Sequence, residues 1–293
     1  MPEALRISSA ENPRVKAVVK LREQRERRRT GLFVAEGRRQ IERALAAGLR
    51  MVEMYVCSEL AGVGDSGDPG RRPAAGLCPG LTPGLTPGVT PGVTPVQVTA
   101  AVMRKMAYRE NPEAVLAVVE QPVWSLNDMA RTEKGALWLV TVGVTKPGNL
   151  GAMVRSAEAA GGAGVLVAAG VVDAFNPNAI HASTGAVLGL PVVAATSDAV
   201  IAFLLQRQAR IVAAVVGATA AYTEAPLTGE VALVIGAEDT GLDERWRAAA
   251  REHGASVAIP MHGRIVDSLN ASTAAAVLLF EAVRQRGLGI SDL

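Results

Sequence analysis

Short apolar runs alternate with longer amphipathic segments from residue 135 to the end of the chain. Apolar runs of strand length lie at Ala136–Val142, Val165–Ala168, Val192–Ala194, Ile211–Val216, Val231–Ile235 and Ser256–Ile259. Segments with helical spacing lie at Leu150–Ala160, Asn178–Thr184, Asp198–Arg207 and Leu242–Glu252, and an Ala-, Val- and Leu-rich helix is expected from Ala271. This alternation predicts an α/β domain built on a parallel sheet.

The earlier part of the chain carries a shorter pattern, which predicts a smaller α/β domain. Helices are expected from Pro13 to about Arg29, from Arg38 to about Ala47 and over Ala100–Ala107, and strands over Leu32–Ala35, Met51–Cys57, Val96–Val98 and Val115–Val119. A chain of 293 residues has room for two domains. We therefore predict domains at residues 1–120 and 135–293, joined by a linker at 121–134.

A proline- and glycine-rich insertion interrupts the first domain at residues 61–95. A Thr-Pro-Gly unit recurs there after Leu81, Leu85 and Val89. Proline and glycine at this density cannot build a packed helix or sheet, so the segment is predicted to be a mobile surface excursion. A compact domain tolerates such an excursion between a strand and a helix. An inert insertion is favoured over an RNA-binding segment.

Composition limits the class of protein. The chain is 49% hydrophobic and 20% charged, which is typical of a globular protein. It has no run of 18 apolar residues and no apolar signal core at its start, so neither a membrane span nor export is expected. Two cysteines, Cys57 and Cys78, make a disulfide framework improbable and fit a reducing cytoplasm. His181, His253 and His262 are dispersed, and no metal site is predicted.

Positive charge is concentrated near the start of the chain. The formal net charge is only +2, but eleven basic side chains lie between Arg6 and Arg39. The densest part contains Lys16, Lys20, Arg22, Arg25, Arg27, Arg28 and Arg29. Such clustering is typical of phosphate binding. Glu23 and Glu26 are interleaved with these cations, however, and a solvated helix with local ion pairs is the alternative.

Three polar, glycine-containing segments follow strands of the second domain. They are NLGAMVR from Asn149, IGAEDTGL from Ile235 and IPMHGRIVDSLN from Ile259. Ligands of open α/β sheets bind just beyond strand ends, so the three segments together predict one site. A dinucleotide site is not favoured, because the first segment lacks the G-x-G-x-x-G pattern and no acidic residue ends the second strand at Val167 to Gly170.

In this order and at these separations, the three segments resemble the SpoU (TrmH-like) family of RNA ribose 2'-O-methyltransferases, within the SPOUT superfamily. The resemblance covers roughly residues 135–284. It implies a C-terminal α/β domain with a deep trefoil knot, S-adenosyl-L-methionine as cofactor, and a homodimer with active sites at the subunit contact. Asn12–Lys16 and Phe33–Gly37 resemble the substrate-binding domain that often precedes such catalytic domains, which is similar in fold to a small RNA-binding ribosomal protein.

The resemblance also implies roles for individual residues. The implied catalytic residues are Arg155, Asn149, Glu238 and Asn270. The implied cofactor-binding residues are Gly236, Ile259, Leu269, Met261 and Ser268, with Gly217 as a weaker candidate. The implied RNA-binding residues are Arg14, Lys16 and Arg38.

Each catalytic candidate has a structural alternative. Arg155 is compatible with a surface arginine paired to Glu158, Asn149 with a helix cap, and Glu238 with a solvent-facing turn acid. The polar residues around Asn270 would also cap the final helix. In the family the matching arginine is assigned to activating the ribose 2'-hydroxyl. Because arginine normally stays protonated, either its pKa is strongly perturbed or it acts as a cation that stabilises the alkoxide, and the sequence leaves both open.

The resemblance therefore implies a cytoplasmic, S-adenosylmethionine-dependent RNA 2'-O-methyltransferase. Large-subunit (23S) ribosomal RNA is the favoured substrate, because the first domain resembles those attached to ribosomal RNA enzymes. Transfer RNA is the alternative substrate. A non-catalytic RNA-binding or ribosome-assembly protein is the alternative class.

Overall fold

The computed structural model describes residues 5–61, 93–170 and 172–287, which form two compact units. The first unit holds the described residues up to Pro122 together with Phe175–Pro177, and the second holds the rest. Residues 62–92, which make up most of the predicted insertion, lie outside the described residues.

The first unit is a five-stranded mixed sheet with four helices. Its elements are β1 (Arg6–Ile7), α1 (Pro13–Lys20), α2 (Gln24–Thr30), β2 (Leu32–Glu36), α3 (Arg38–Ala46), β3 (Met51–Val56), β4 (Val96–Val98), α4 (Ala100–Met106) and β5 (Val115–Glu120). The strand order is β1-β4-β3-β5-β2. β5 is antiparallel to both β2 and β3, and the remaining pairs are parallel.

The prediction of one continuous helix from Pro13 to about Arg29 is wrong. The structure has two helices there, and the first ends at Lys20 and the second begins at Gln24. The guanidinium of Arg27 is buried, and its Nη1 donates to the carbonyls of Leu21 (2.6 Å) and Arg22 (2.7 Å). A continuous helix would use those carbonyls for its own backbone hydrogen bonds. Part of the basic cluster therefore shapes the fold instead of facing solvent.

The second unit is a seven-stranded parallel sheet with helices on both faces. Its elements are α5 (Leu126–Met129), β6 (Leu137–Val142), α6 (Pro147–Ala159), β7 (Gly164–Ala168), α7 (Pro177–Ala182), β8 (Val192–Ala195), α8 (Ser197–Gln206), β9 (Arg210–Ala214), β10 (Ala220–Ala221), β11 (Val231–Ile235), α9 (Glu244–His253), β12 (Gly254–Ala258) and α10 (Ala271–Gln285). The strand order is β10-β12-β9-β11-β6-β7-β8, and every pair is parallel. The predicted α/β class with a parallel sheet is confirmed.

The apolar runs become strands because both faces of the sheet are covered. Every residue of β6 and of β11 is buried, as expected for central strands of a parallel sheet. On one face, residues of α8 and α9 such as Phe203 and Trp246 join a core that includes Trp138. On the other face, α6 packs against α10, and α10 lies over β11.

Several predicted boundaries shift for local reasons. The helix expected from Leu242 begins at Glu244, because the Asp243 side chain accepts from the amide of Trp246 (3.1 Å) and Leu242 is buried before the helix. The strand expected over 256–259 is Gly254–Ala258. A Cβ at Gly254 would lie 2.0 Å from the carbonyl oxygen of Ile211, so only glycine fits there.

The segment expected as a linker contributes structure to the second unit. Ser125 and Asp128 form a capping box that starts α5. Met129 at the end of α5 is buried and belongs to the main core of this unit. α5 is therefore part of the second unit.

Candidate active site

The carboxyl ends of four neighbouring strands, β12, β9, β11 and β6, lie side by side in the second unit. The loops that follow the first three of these strands, with residues 267–271, surround a cleft of about 950 Å³. A cleft of this size at strand ends is typical of a small-molecule site in an α/β protein.

All of the predicted cofactor-binding residues line this cleft. They are Gly217, Gly236, Ile259, Met261, Ser268 and Leu269. Glu238 and Asn270 line it as well, whereas Asn149 and Arg155 do not.

Gly236 has a structural role in its own loop. Residues 236–241 fold back, with the amide of Gly241 donating to the carbonyl of Ala237 (3.0 Å). A Cβ at Gly236 would lie 2.5 Å from the backbone carbon of Gly241. Glycine is therefore required here by the loop itself, in addition to any contact with a ligand.

Glu238 joins the three sequence segments through its side chain. Its Oε2 accepts from Lys146 Nζ (2.6 Å), and its Oε1 accepts from Asn149 Nδ2 (2.9 Å) and from Asn270 Nδ2. Asn270 Nδ2 also approaches Asn149 Oδ1 (3.4 Å). Residues far apart in sequence thus meet at one carboxylate beside the cleft.

The network fixes the charge of Glu238. Hydrogen bonds from Lys146 and then from Asn149 hold the pKa of the Glu238 carboxyl below its usual range, and the amide of Ala271 also contributes. In return, Glu238 raises the pKa of Lys146. Because its oxygens already accept several hydrogen bonds, Glu238 is built to hold other groups in position. Glu238 is exposed on the turn after β11, as the alternative of a turn acid expects, and its carboxylate also holds these side chains.

Asn270 both caps α10 and belongs to the network. Its Oδ1 accepts from the amide of Ser272 (3.0 Å) and from the Ser272 hydroxyl (2.6 Å), while its Nδ2 donates to Glu238. Ser268 does not cap the helix, because its hydroxyl donates to Asp267 (3.1 Å). Asn149 is not a cap either, since α6 begins at Pro147 with Lys146 at the cap position.

Arg155 lies on α6 and is not part of the Glu238 hydrogen-bond network. It is exposed and follows Asn149 by six residues, about 9 Å along the helix axis. In the described part of the second unit it forms no ion pair, so the expected alternative pairing with Glu158 is absent. The hydrogen-bond partners of Glu238 are Lys146, Asn149 and Asn270, and Arg155 is not one of them.

Comparison with known proteins identifies the family. Residues 136–280 match the model of the SpoU rRNA Methylase family, and residues 12–117 match an MRM3-like substrate binding domain. The 23S rRNA (guanosine-2'-O-)-methyltransferase RlmB of Vibrio vulnificus is 35% identical over 196 residues, which cover 65% of this chain and 77% of that relative. The chain belongs to the SpoU rRNA methylase family.

A second curated relative and a solved structure extend the comparison. The 23S rRNA (uridine(2479)-2'-O)-methyltransferase of Streptomyces viridochromogenes is 36% identical over 183 residues, covering 60% of this chain but only 62% of that relative. The crystal structure of the SpoU methyltransferase AviRb from Streptomyces viridochromogenes, in complex with AdoMet, has a TM-score of 0.77 at 27% identity, covering 95% of this chain and all of that chain.

The predicted RNA-binding residues of this SpoU family member lie in the first unit, and each has an acidic neighbour. Arg14 Nε lies 4.0 Å from Glu53, Lys16 Nζ lies 2.6 Å from Glu11, and Arg38 bonds to Glu42. The side chains of these three cations are about half exposed. Exposed pairs of this kind contribute little stability, so the cations remain available to phosphates. Their role in RNA binding stays a prediction.

Sequence reasoning missed Lys146 and Arg247. Lys146 directly precedes Pro147, and a residue before proline at a helix start is held extended, which places it at the edge of the site. That signal was available in the sequence. Arg247 lines the cleft from α9, but no motif marks it.

The described residues contain no group of three or more His, Cys, Asp or Glu side chains suited to a metal ion. No helix among them is long and apolar enough to cross a membrane.

Proposed function

We propose that this protein transfers a methyl group from S-adenosyl-L-methionine to the ribose 2'-hydroxyl of a nucleotide in 23S ribosomal RNA. The observation that carries the proposal is the meeting of Lys146, Asn149 and Asn270 at Glu238, directly beside a cleft of cofactor size. Membership of the SpoU family and the activities of the relatives described above support it. Those relatives act on a uridine and on a guanosine, respectively.

The residues of the cleft fit this cofactor. Apolar side chains such as Ile259, Met261 and Leu269 suit the adenine ring, and the exposed backbone at Gly217 and Gly236 suits its polar edge. S-Adenosylmethionine supplies a methyl group on a sulfonium centre. Charged side chains also line the cleft, so polar parts of a ligand find partners there.

We assign to Arg155 the role of a cation at the reacting ribose. Arginine stays protonated at neutral pH, so Arg155 stabilises the alkoxide that forms as the 2'-hydroxyl loses its proton to solvent. Glu238 is a poor base, because its pKa is lowered and its oxygens are occupied. It holds Asn149 and Asn270 at the edge of the cleft, and correct positioning then contributes much of the rate.

A second copy of the chain would complete the site. Within one chain Arg155 is exposed, is not among the hydrogen-bond partners of Glu238 and does not line the cleft, and Phe280 on the neighbouring helix α10 is 50% exposed. Both observations favour a homodimer in which Arg155 of one subunit serves the cleft of the other. If so, mixing Arg155→Ala with Asn270→Ala protein, each inactive alone, restores part of the activity. Continued inactivity of a mixture that has exchanged subunits argues against a shared site.

The deep trefoil knot is also part of the proposal. From β12 the chain must pass the ends of β9 and β11 before Asn270 reaches Asn149 and Glu238. The resemblance to the SpoU family is what supports a threaded C-terminal segment here, an exception to the usual unthreaded connections.

We further propose that the first unit has a fold similar to that of a small ribosomal protein and that it binds the RNA. The match to an MRM3-like substrate binding domain supports this assignment. Exposed cations of the basic cluster such as Lys20, Arg25 and Arg28 then contact phosphates. The protein would act in the cytoplasm, where ribosomal RNA is processed, and no metal is expected in the reaction.

Transfer of labelled methyl from S-adenosylmethionine tests the reaction and the substrate class together. Purified 23S ribosomal RNA, transfer RNA and large-subunit precursor particles are each incubated with the protein, with Arg155→Ala as control. Label in the ribosomal RNA, recovered as a 2'-O-methyl nucleoside and absent with the variant, is the expected result. Label only in transfer RNA would overturn the substrate. RNA binding without label in any sample would favour a non-catalytic assembly protein.

A further inference from the structure

Arg247 differs from the two neighbouring arginines of α9 in its ion pairing. Arg245 pairs with Asp198 (2.9 Å) and Arg251 pairs with Glu244 (2.6 Å). Arg247 pairs with no carboxylate in the described part of the second unit, although it is exposed and charged. A cation left without a counter-charge beside a ligand cleft is a candidate for binding an anionic group of that ligand.

The guanidinium of Arg247 is held in place at the cleft. Arg247 is one of the cleft-lining residues, and its Nε donates to the backbone carbonyl of Leu242 (2.9 Å). That bond uses one N–H and leaves the two terminal nitrogens without a protein partner among the described residues of this unit. The planar fork of arginine matches a carboxylate, which it binds through two parallel hydrogen bonds.

The charges around the cleft give a bound molecule an orientation. Among the described residues that line it, the carboxylates are Glu238, Asp239 and Asp267, and Arg247 is the only cation. A ligand that carries both an ammonium and a carboxylate is therefore attracted at two different places. The carboxylate is drawn to Arg247 and repelled by the acidic side chains.

We propose that Arg247 binds the α-carboxylate of the methionyl part of S-adenosylmethionine and so selects for the complete cofactor. The inference rests on the proposed function, because it deepens the assignment of this cleft. Arg247 would be a specificity-determining residue: it would discriminate between cofactors with and without a carboxylate and take no part in the methyl transfer.

Calorimetric binding of S-adenosylmethionine and of its decarboxylated form isolates this contact. The two ligands share the adenosine, the sulfonium and the ammonium, and differ only in the carboxylate. Loss of a charge-assisted hydrogen-bonded contact corresponds to a change of about ten- to a hundredfold in affinity. We expect the unaltered protein to prefer the complete cofactor by such a factor and Arg247→Gln to bind both ligands about equally.

Arg245→Gln is the matched control, because it removes the same charge from the same helix but from a side chain that is paired with Asp198. It is expected to keep the preference. Arg247→Lys keeps the charge without the fork and should retain part of the preference. Melting temperatures of all three variants show whether each one is folded.

The remaining outcomes overturn the inference. Equal weakening of both ligands by Arg247→Gln would mean that Arg247 only supports the loop at Leu242. If Arg247→Gln binds both ligands as the unaltered protein does but binds RNA more weakly, Arg247 contacts an RNA phosphate instead. Failure of the unaltered protein to bind either ligand would instead refute the proposed function, and the two failures are thus distinguishable.

Discussion

Glu230 lies just before β11, at the end of the sheet opposite the cleft, and gathers several chain segments there. Its Oε2 accepts from the amides of Gly135 (2.7 Å) and Ala136 (3.1 Å). Its Oε1 accepts from Trp138 Nε1 (3.0 Å) and Arg207 Nε (2.7 Å). The side chains of Glu230 and Arg207 are only 10% and 12% exposed. Replacing Glu230 therefore tests how much this buried cluster stabilises the second unit.

The loss of stability should be large, because replacing Glu230 leaves the Arg207 guanidinium without its carboxylate partner. Its guanidinium also donates to the carbonyls of Ala130, Thr132 and Glu133, so it cannot easily turn to solvent. Removing one partner of a buried ion pair costs about 3–5 kcal/mol, since the other charge is left uncompensated. We expect Glu230→Ala to lower the free energy of unfolding by that amount. Glu230→Gln should cost less, because the amide oxygen still accepts hydrogen bonds.

Urea unfolding followed by tryptophan fluorescence measures this loss in the relevant unit. All three tryptophans, Trp124, Trp138 and Trp246, lie in the second unit, so the signal reports on that unit. The control is Glu244→Ala, which removes an exposed ion pair with Arg251 and should cost less than about 1 kcal/mol. A loss below about 1 kcal/mol for Glu230→Ala, or one equal to the control, would refute the reasoning.

The same cluster predicts a dependence on pH. Burial works to raise the pKa of Glu230, but the hydrogen bonds from Arg207, Trp138 and the two amides outweigh it and leave the pKa lowered. A carboxyl whose pKa is lower in the folded state stabilises the protein above its unfolded value, here 4.5, and this stability is lost as the pH falls through the folded value. The difference in stability between the unaltered protein and Glu230→Gln should therefore be full at neutral pH and shrink below about pH 4.5.

Three further predictions concern the site and the insertion. Arg155→Ala should abolish methyl transfer and leave cofactor binding within a few-fold, because Arg155 does not line the cleft; lost binding in calorimetry would contradict its role at the ribose. Lys146→Met should lower kcat more than it changes the cofactor Kd, since Lys146 holds Glu238 from outside the cleft; unchanged steady-state kinetics would show that Glu238 needs no such support. Deleting residues 64–94 should leave activity and melting temperature nearly unchanged, and a large drop in melting temperature would show that the repeat is structural.

Features fixed by local patterns could be predicted from the sequence. β6 and β11 differ from their predicted bounds by no more than one residue, because their continuous apolar runs are buried on both faces. The position of the motif residues at strand ends could be predicted because glycine and polar residues interrupt the apolar runs there. The two-residue strands β1 and β10 have no such pattern and were missed.

Features that depend on distant partners could not be predicted. The break after Lys20 depends on the guanidinium of Arg27 folding back onto carbonyls, which no propensity records. β9 lies between β12 and β11 in the sheet, and no local spacing of residues in the sequence predicts this order. The partnership of Lys146 with Glu238 joins residues 92 positions apart and follows only from that order.

Asn270 makes two different interactions, and together they restrict which residues can replace it. Its oxygen starts α10, and its amide nitrogen donates to Glu238. Aspartate would keep the cap but bring a second negative charge against that carboxylate. Serine would keep the cap without a donor long enough to reach it, and glutamine would keep the donor while capping poorly. Of the common capping residues, only asparagine can both cap α10 and donate to Glu238. Substitution at residue 270 is therefore restricted by the stability of the helix and by the geometry of the site.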